Sequence, residues 1–153
     1  MTDHFDMPGH LARRFQQIAV AIFHAEVEAA GFDLTPVQYV ALAVLRQHPG
    51  IDQATLASLI AYDRTTIGGV VDRLVHKGLV ARAVSPKDRR AHVLHLTEAG
   101  GLTLEGIQPA VEAAQREMVA GLEPAEVTEF IRLFRKAITA ANDRSRAPMK
   151  PAP

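Results

Sequence analysis

Between Asp63 and His95 stand seven basic side chains, Arg64, Arg73, Lys77, Arg82, Lys87, Arg89 and Arg90, against three carboxylates, Asp63, Asp72 and Asp88. The segment carries +4 in a chain of formal charge zero, so the remainder carries −4. Such residues bind anions: guanidinium and ammonium groups donate charge-assisted hydrogen bonds to phosphate oxygens, and local charge governs that attraction more than the total does. They fall into two groups. Arg64, Thr65, Thr66, Gly69, Arg73 and Lys77 line one side of an amphipathic stretch whose other side is Ile67, Val70, Val71, Leu74 and Val75. Lys87, Asp88, Arg89 and Arg90 form the tip between two β-prone runs, 80–84 and 91–96. A helix that fits a DNA major groove, followed at once by a basic hairpin that reaches an adjacent groove, has the logic of a winged helix-turn-helix.

Within the helix, small residues near the start allow bases to approach closely, and the cations further along meet phosphates. Gly68 and Gly69 each cost up to about 1 kcal/mol relative to alanine in a helix interior, which calls for a reason in packing or in groove approach. For Gly68 the two remain equal. In the hairpin, a carboxylate at Asp88 two residues before Arg90 can orient the guanidinium, so Arg90 is the expected minor-groove probe, with Lys87 and Arg89 on phosphates. A plain surface ion pair is the alternative.

The elements that must position these residues read mostly as helix. Leu11, Phe15, Ile18, Ile22 and Ala25 recur at helical spacing from about residue 9 to 30, where Gly31 supplies a stop. Thr35-Pro36 starts a second helix, a capping residue followed by proline at the first position, with Val40, Ala41, Val44 and Leu45 inward until Pro49-Gly50. A short third helix carries Leu56, Leu59 and Ile60. Asp63 is the expected N-cap of the fourth, and Gly78 ends it. Thr97 caps a long helix to about Gly121 with a kink or break at Pro109, and Glu123-Pro124 opens the last one. There Val127, Phe130, Ile131, Phe134, Ala137, Ile138 and Ala141 make an apolar face too wide for the small winged domain to cover, which predicts a partner surface and a two-fold homodimer.

The expected fold is mostly α with a small β-wing. It divides into a flexible N-terminus over 1–8, a helical dimerisation lobe from 9–34 and 98–141, a winged helix-turn-helix over 35–97, and a disordered tail over 142–153, whose Pro, Arg, Ala and Ser composition buries little. The chain lacks any apolar run long enough to span a bilayer and its start has no hydrophobic leader, so no membrane partner is expected and it reads as cytoplasmic. With no cysteine, there is no disulfide framework, thiolate metal site or thiol switch.

Asp63-Arg64-Thr65-Thr66, Val71-Asp72-Arg73-Leu74, Lys77-Gly78-Leu79-Val80, Asp88-Arg89-Arg90 and Leu96-Thr97-Glu98-Ala99-Gly100, in this order of helices and wing, closely resemble the MarR family of bacterial transcriptional regulators over roughly residues 9–141. The wing followed by Leu-Thr-x-x-Gly is the specific part. The resemblance implies a dimeric winged-helix repressor, occasionally an activator, that binds a pseudo-palindrome on double-stranded DNA and is released by a small phenolic or aromatic carboxylate, in a pocket between its two lobes.

For such an effector, two polar stripes stand beside apolar helix faces: His10, Arg14 and Gln17 on the first helix, and Tyr39 and Arg46 on the second. An arginine can take a carboxylate in bidentate fashion while aromatic surfaces hold the ring. The same residues serve equally as solvent-facing positions or dimer ion pairs. No cofactor is called for. Metal binding finds no compact ligand set, since His92 and His95 point to opposite faces of a strand and His10 and His24 lie about 21 Å apart along a helix. An enzyme would need a glycine-rich phosphate loop, a Gly-x-Ser-x-Gly elbow or a cysteine nucleophile, none of which is present. A winged-helix module for DNA or protein contact without any effector is the rival reading.

Overall fold

The computed structural model describes residues 3–151. Six helices and one two-stranded ribbon follow in the order α1 (Pro8–Ala29), α2 (Pro36–Gln47), α3 (Gln53–Leu59), α4 (Arg64–His76), β1 (Val80–Val84), β2 (His92–Leu96), α5 (Glu98–Met118) and α6 (Pro124–Ala140). Local chemistry sets most boundaries. Thr35 accepts from the Gln38 amide while the Gln38 side chain returns to the Thr35 amide, a complete capping box. Asp52, Asp63 and Thr97 likewise accept from the amide three residues on. At the other end of α4, Gly78 takes φ +75°. The amides of Gly78 and Leu79 there close onto the carbonyls of Val75 and Leu74.

The core forms where the first five helices and the ribbon meet. Leu42, Leu45, Leu56, Ile67, Leu74, Leu94 and Ile107 are fully enclosed. The antiparallel ribbon pairs Val80 with Leu96 and Val84 with His92. Its second strand also reaches back to the segment before α3, since the Leu94 amide donates to Ile51 and the Gly50 amide to Leu94. The wing is thereby tied to the start of α3. At the far end of the ribbon, Thr97 donates its hydroxyl to the Gly78 carbonyl at 2.6 Å and its amide to the Leu79 carbonyl. A methyl at Gly100 would overlap that Leu79 carbonyl oxygen and lie 3.0 Å from its carbon. This explains the Thr-x-x-Gly spacing: threonine caps α5 and glycine lets the helix lie against the backbone that leaves α4.

Several expectations change. In α1 the chain buries Phe23 and Val27, whereas Leu11 and Ile18 on the anticipated stripe remain about half exposed. Val40 of α2 is also exposed, and Leu42 takes the inward place. Helix α5 continues through Pro109 without a break, because Ile107, Ala110 and Val111 around it are buried and outweigh the lost hydrogen bond. It ends at Met118, and α6 buries no residue at all.

Both chain ends are more ordered than their composition implies. Asp3 caps a 3-10 turn over His4–Asp6, and α1 follows at Pro8, so the expected flexible N-terminus is structured from Asp3 onward. Residues 142–151, expected to be disordered, form a 3-10 turn over Asn142–Arg144. They then fold back: Asn142 donates to the Met149 carbonyl and accepts from its amide, and the Lys150 amide donates to Ser58 in α3. Side-chain-to-backbone closure orders a polar segment that buries little. Residues 1–2 and 152–153 of those two expectations lie outside the described residues.

Candidate nucleic-acid interface

Helix α4 owes its position to Ile67, Val70, Val71 and Leu74, all buried, which turn Arg64, Thr65, Thr66, Gly69 and Arg73 outward. Asp63 fixes its start. The Thr66 amide donates to the Asp63 carboxylate at 2.7 Å. That bond, then the Thr66 hydroxyl and to a lesser degree the Arg146 guanidinium, hold the Asp63 carboxyl below its usual range. On the outward face, a Cβ added at Gly69 would meet nothing within 4 Å, so this chain's own packing does not require glycine there. At Gly68 it would meet the Gln53 side chain at 3.5 Å, an ordinary contact.

The wing tip is shaped by two side-chain closures onto the backbone. The Ser85 hydroxyl accepts from the Lys87 amide, and the Asp88 carboxylate accepts from the Arg90 amide at 2.9 Å. Asp88 thus shapes the turn and holds the backbone of Arg90, not its guanidinium as the spacing had implied. A carboxylate two residues upstream reaches the nearer amide first, as in other Asx turns. Arg90 then points into a cleft of about 240 Å³, shared with Arg64, Asp52, Gln53, Ala54 and His92. Helix α4 and the wing therefore meet on one surface.

Ion pairing separates the cations. Among the described residues, Arg64, Arg73, Lys87, Arg89 and Arg90 make no ion pair. Lys77 is different: its ammonium donates to the Asp33 carbonyl and lies 3.4 Å from the Asp33 carboxylate. It ties the end of α4 to the segment before α2 and leaves the anticipated DNA-facing set. Arg82 pairs with Asp72, which clamps β1 to α4. Gln53 was not anticipated; its Oε1 is buried without a hydrogen-bond partner at the Arg64–Arg90 cleft. An orphaned acceptor is invisible to spacing, because it depends on where α3 meets the wing.

The five anticipated effector residues are not brought together within one chain. Tyr39 donates to Gln108 at 3.1 Å, and burial followed by the charge of Glu112 pushes its phenol up. Arg46 pairs with Glu105 at 3.5 Å. Both therefore join α2 to α5. Gln17 accepts from Arg13. Tyr39 lies against Phe23, with ring centres 6.2 Å apart, and Phe23 is some 13 Å along α1 from Arg14 and nearly 20 Å from His10 at about 1.5 Å per residue. His10 instead meets Phe5 edge-on. Arg14, without an ion pair among the described residues, borders an apolar groove of about 580 Å³ with Phe15, Phe130 and Phe134. The described residues hold no group of three His, Cys, Asp or Glu arranged to bind a metal, and no helix among them is long and apolar enough to cross a membrane.

Residues 34–92 match the model of the MarR family. The chain is 35% identical to the HTH-type transcriptional repressor NicR of Pseudomonas putida, over 85% of its own length and 81% of that protein's. Its fold is similar to that of the PcaV transcriptional regulator of Streptomyces coelicolor, solved with its natural ligand, at a TM-score of 0.83 and 33% identity over 92% of this chain and 98% of that one. It is also similar to Bordetella bronchiseptica BpsR, described in terms of regulation of DNA binding by 6-hydroxynicotinic acid. There the TM-score is 0.82 and the identity 32%, over 90% of this chain and 96% of the other.

Proposed function

The chain belongs to the MarR family of transcriptional regulators, which are not enzymes, and from that premise we propose that it is a homodimeric repressor released from a pseudo-palindromic operator by a small aromatic carboxylate or phenol. The observation that carries the DNA half is the cleft where Arg64 of α4 and Arg90 of the wing meet with no carboxylate paired to either. Thr65, Thr66, Gly69 and Arg73 approach the major groove, while Lys87 and Arg89 take phosphates beside it. Asp88 serves by fixing the turn. A dimer places two such surfaces about 34–36 Å apart, one turn of DNA, so affinity depends on the separation of the lobes.

The second copy covers the apolar faces left open on α1 and α6, where Leu11, Ile18, Ile131, Phe134 and Ile138 are between 39% and 57% exposed. For the effector, Arg14 is the carboxylate partner and Phe15, Phe130 and Phe134 hold the ring, at the seam where the copies pack. A ligand wedged there shifts the spacing of the recognition helices. A hundredfold loss of affinity needs a coupling of about 2.7 kcal/mol, within the ordinary range for allosteric pairs. The relatives' names support the ligand class, since 6-hydroxynicotinic acid is an aromatic carboxylate with a hydroxyl.

The test is fluorescence anisotropy on DNA from the gene's own upstream region, with nonspecific competitor and a panel of aromatic carboxylates that includes 6-hydroxynicotinate. Tight binding reversed by one acid, and weakened in Arg90→Ala by about 1–3 kcal/mol without loss of the dimer, is the expected result. Release that is unchanged in Arg14→Ala removes the effector assignment and leaves the DNA reading intact.

A further inference from the structure

We propose that residues 142–151 form a basic strap that extends the DNA-binding surface beyond the recognition helix and wing, gripping backbone phosphates beside the start of α4. The proposal rests on the DNA-binding reading above. The segment leaves α6, returns on itself through the paired hydrogen bonds between Asn142 and Met149, and is pinned to α3 where the Lys150 amide donates to the Ser58 carbonyl at 3.0 Å. It then lies along the turn that joins α3 to α4. Its charged residues are Arg144, Arg146 and Lys150 against Asp143, all exposed.

Arg146 links this charge to the interface. Its guanidinium is 3.9 Å from the Asp63 carboxylate, and its side chain is 93% exposed. Asp63 must carry an oxygen to cap α4, yet a carboxylate at the helix end that meets DNA repels phosphate. Arg146 offsets that repulsion and keeps most of its donors turned to solvent. Arg144 and Lys150 then add positive charge on the same segment, where it packs by Leu59 and Ala61 at the end of α3, with no ion-pair partner among the described residues. The backbone ties fix where these cations stand, which lowers the entropy lost when a phosphate binds.

Phosphate contacts are independent of sequence, so the test needs no operator. Anisotropy on a mixed-sequence duplex from about 50 to 200 mM salt compares the full chain with R144Q/R146Q/K150Q and with R90A. The triple variant keeps both backbone ties, because neither uses a substituted side chain, and thermal melting is expected to match the wild type. Each lost phosphate contact removes about 0.9 from the slope of log K against log salt, so a two-fold dimer should lose about 2 units for one contact per protomer and about 5 if all three cations grip phosphates, with weaker binding at every salt concentration. A wild-type slope in the triple variant alongside a shallower one in R90A overturns the strap and leaves the DNA reading standing. Wild-type slopes in both variants overturn the DNA surface and the strap with it.

Discussion

Helices α4 and α6 are both amphipathic, yet one is finished by its own chain and the other is not. Helix α4 places Ile67, Val70, Val71 and Leu74 in the core, each side chain contributing about 1.5–3 kcal/mol of burial, and that anchoring is what holds its polar face outward. Helix α6 buries nothing. Phe130 and Phe134 stack on each other and touch Phe15 of α1, but Ile131, Leu133 and Ile138 stay exposed. The surface proposed for DNA is built within one chain, whereas in the proposed dimer the spacing between two such surfaces is set by an interface that one chain only half supplies.

Charge on the unfinished face of α6 should have the largest consequence. Ile131→Glu combined with Ile138→Glu should yield a folded monomer by sedimentation. Its operator affinity should fall by at least about 100-fold, because the second recognition helix no longer binds at high effective concentration. Helical content should be retained, since neither residue is buried. A dimer that survives both charges, or a monomer with full affinity, would mean that α6 does not govern spacing.

Two glycines test the packing around α4, one where α5 meets the backbone that leaves it and one on its outward face. Gly100→Ala forces a methyl into the Leu79 carbonyl, and backbone cannot step aside as a flexible side chain would, so a loss near 3 kcal/mol, about the upper end for overpacking, is expected in urea unfolding. Gly69→Ala has open space around it and should stabilise the fold by up to about 1 kcal/mol through helix propensity. The same change should weaken DNA binding severalfold. If Gly69→Ala binds as tightly as wild type, that face does not come close to the bases.

What could be read in the sequence follows the same divide. The caps at Thr35, Asp63 and Thr97 and the stops at Gly31 and Gly78 involve residues within a few positions of one another, so sequence order shows them directly. The partners of Lys77 and Tyr39 lie 44 and 69 residues away, and no spacing rule links them. For α1, two apolar stripes compete. Leu11, Phe15, Ile18 and Ile22 have the cleaner period, but periodicity says only that a face is apolar, not whether the same chain covers it. The chain covers the Phe23–Val27 side, and the regular stripe is left for the proposed second copy. The tail differs for another reason: composition measures how much apolar surface a segment can bury, and this one is held by hydrogen bonds between the Asn142 side chain and the Met149 backbone instead.

A subtler change is expected at the start of α4. Because the Thr66 amide and hydroxyl hold the Asp63 carboxyl below its usual range, the folded state binds that proton less readily than the unfolded chain. Its contribution is therefore fully present above the ordinary aspartate pKa of about 3.9 and is lost as pH falls through the lower folded value. Asp63→Asn keeps an oxygen to accept from Thr66 but cannot titrate. Urea unfolding of wild type and Asp63→Asn should show the wild type ahead at neutral pH and its advantage shrinking as the solution is acidified below about pH 4. An advantage unchanged by acid would mean that the cap works through shape alone, and that the charge at the head of the recognition helix, which Arg146 faces, does nothing for the fold.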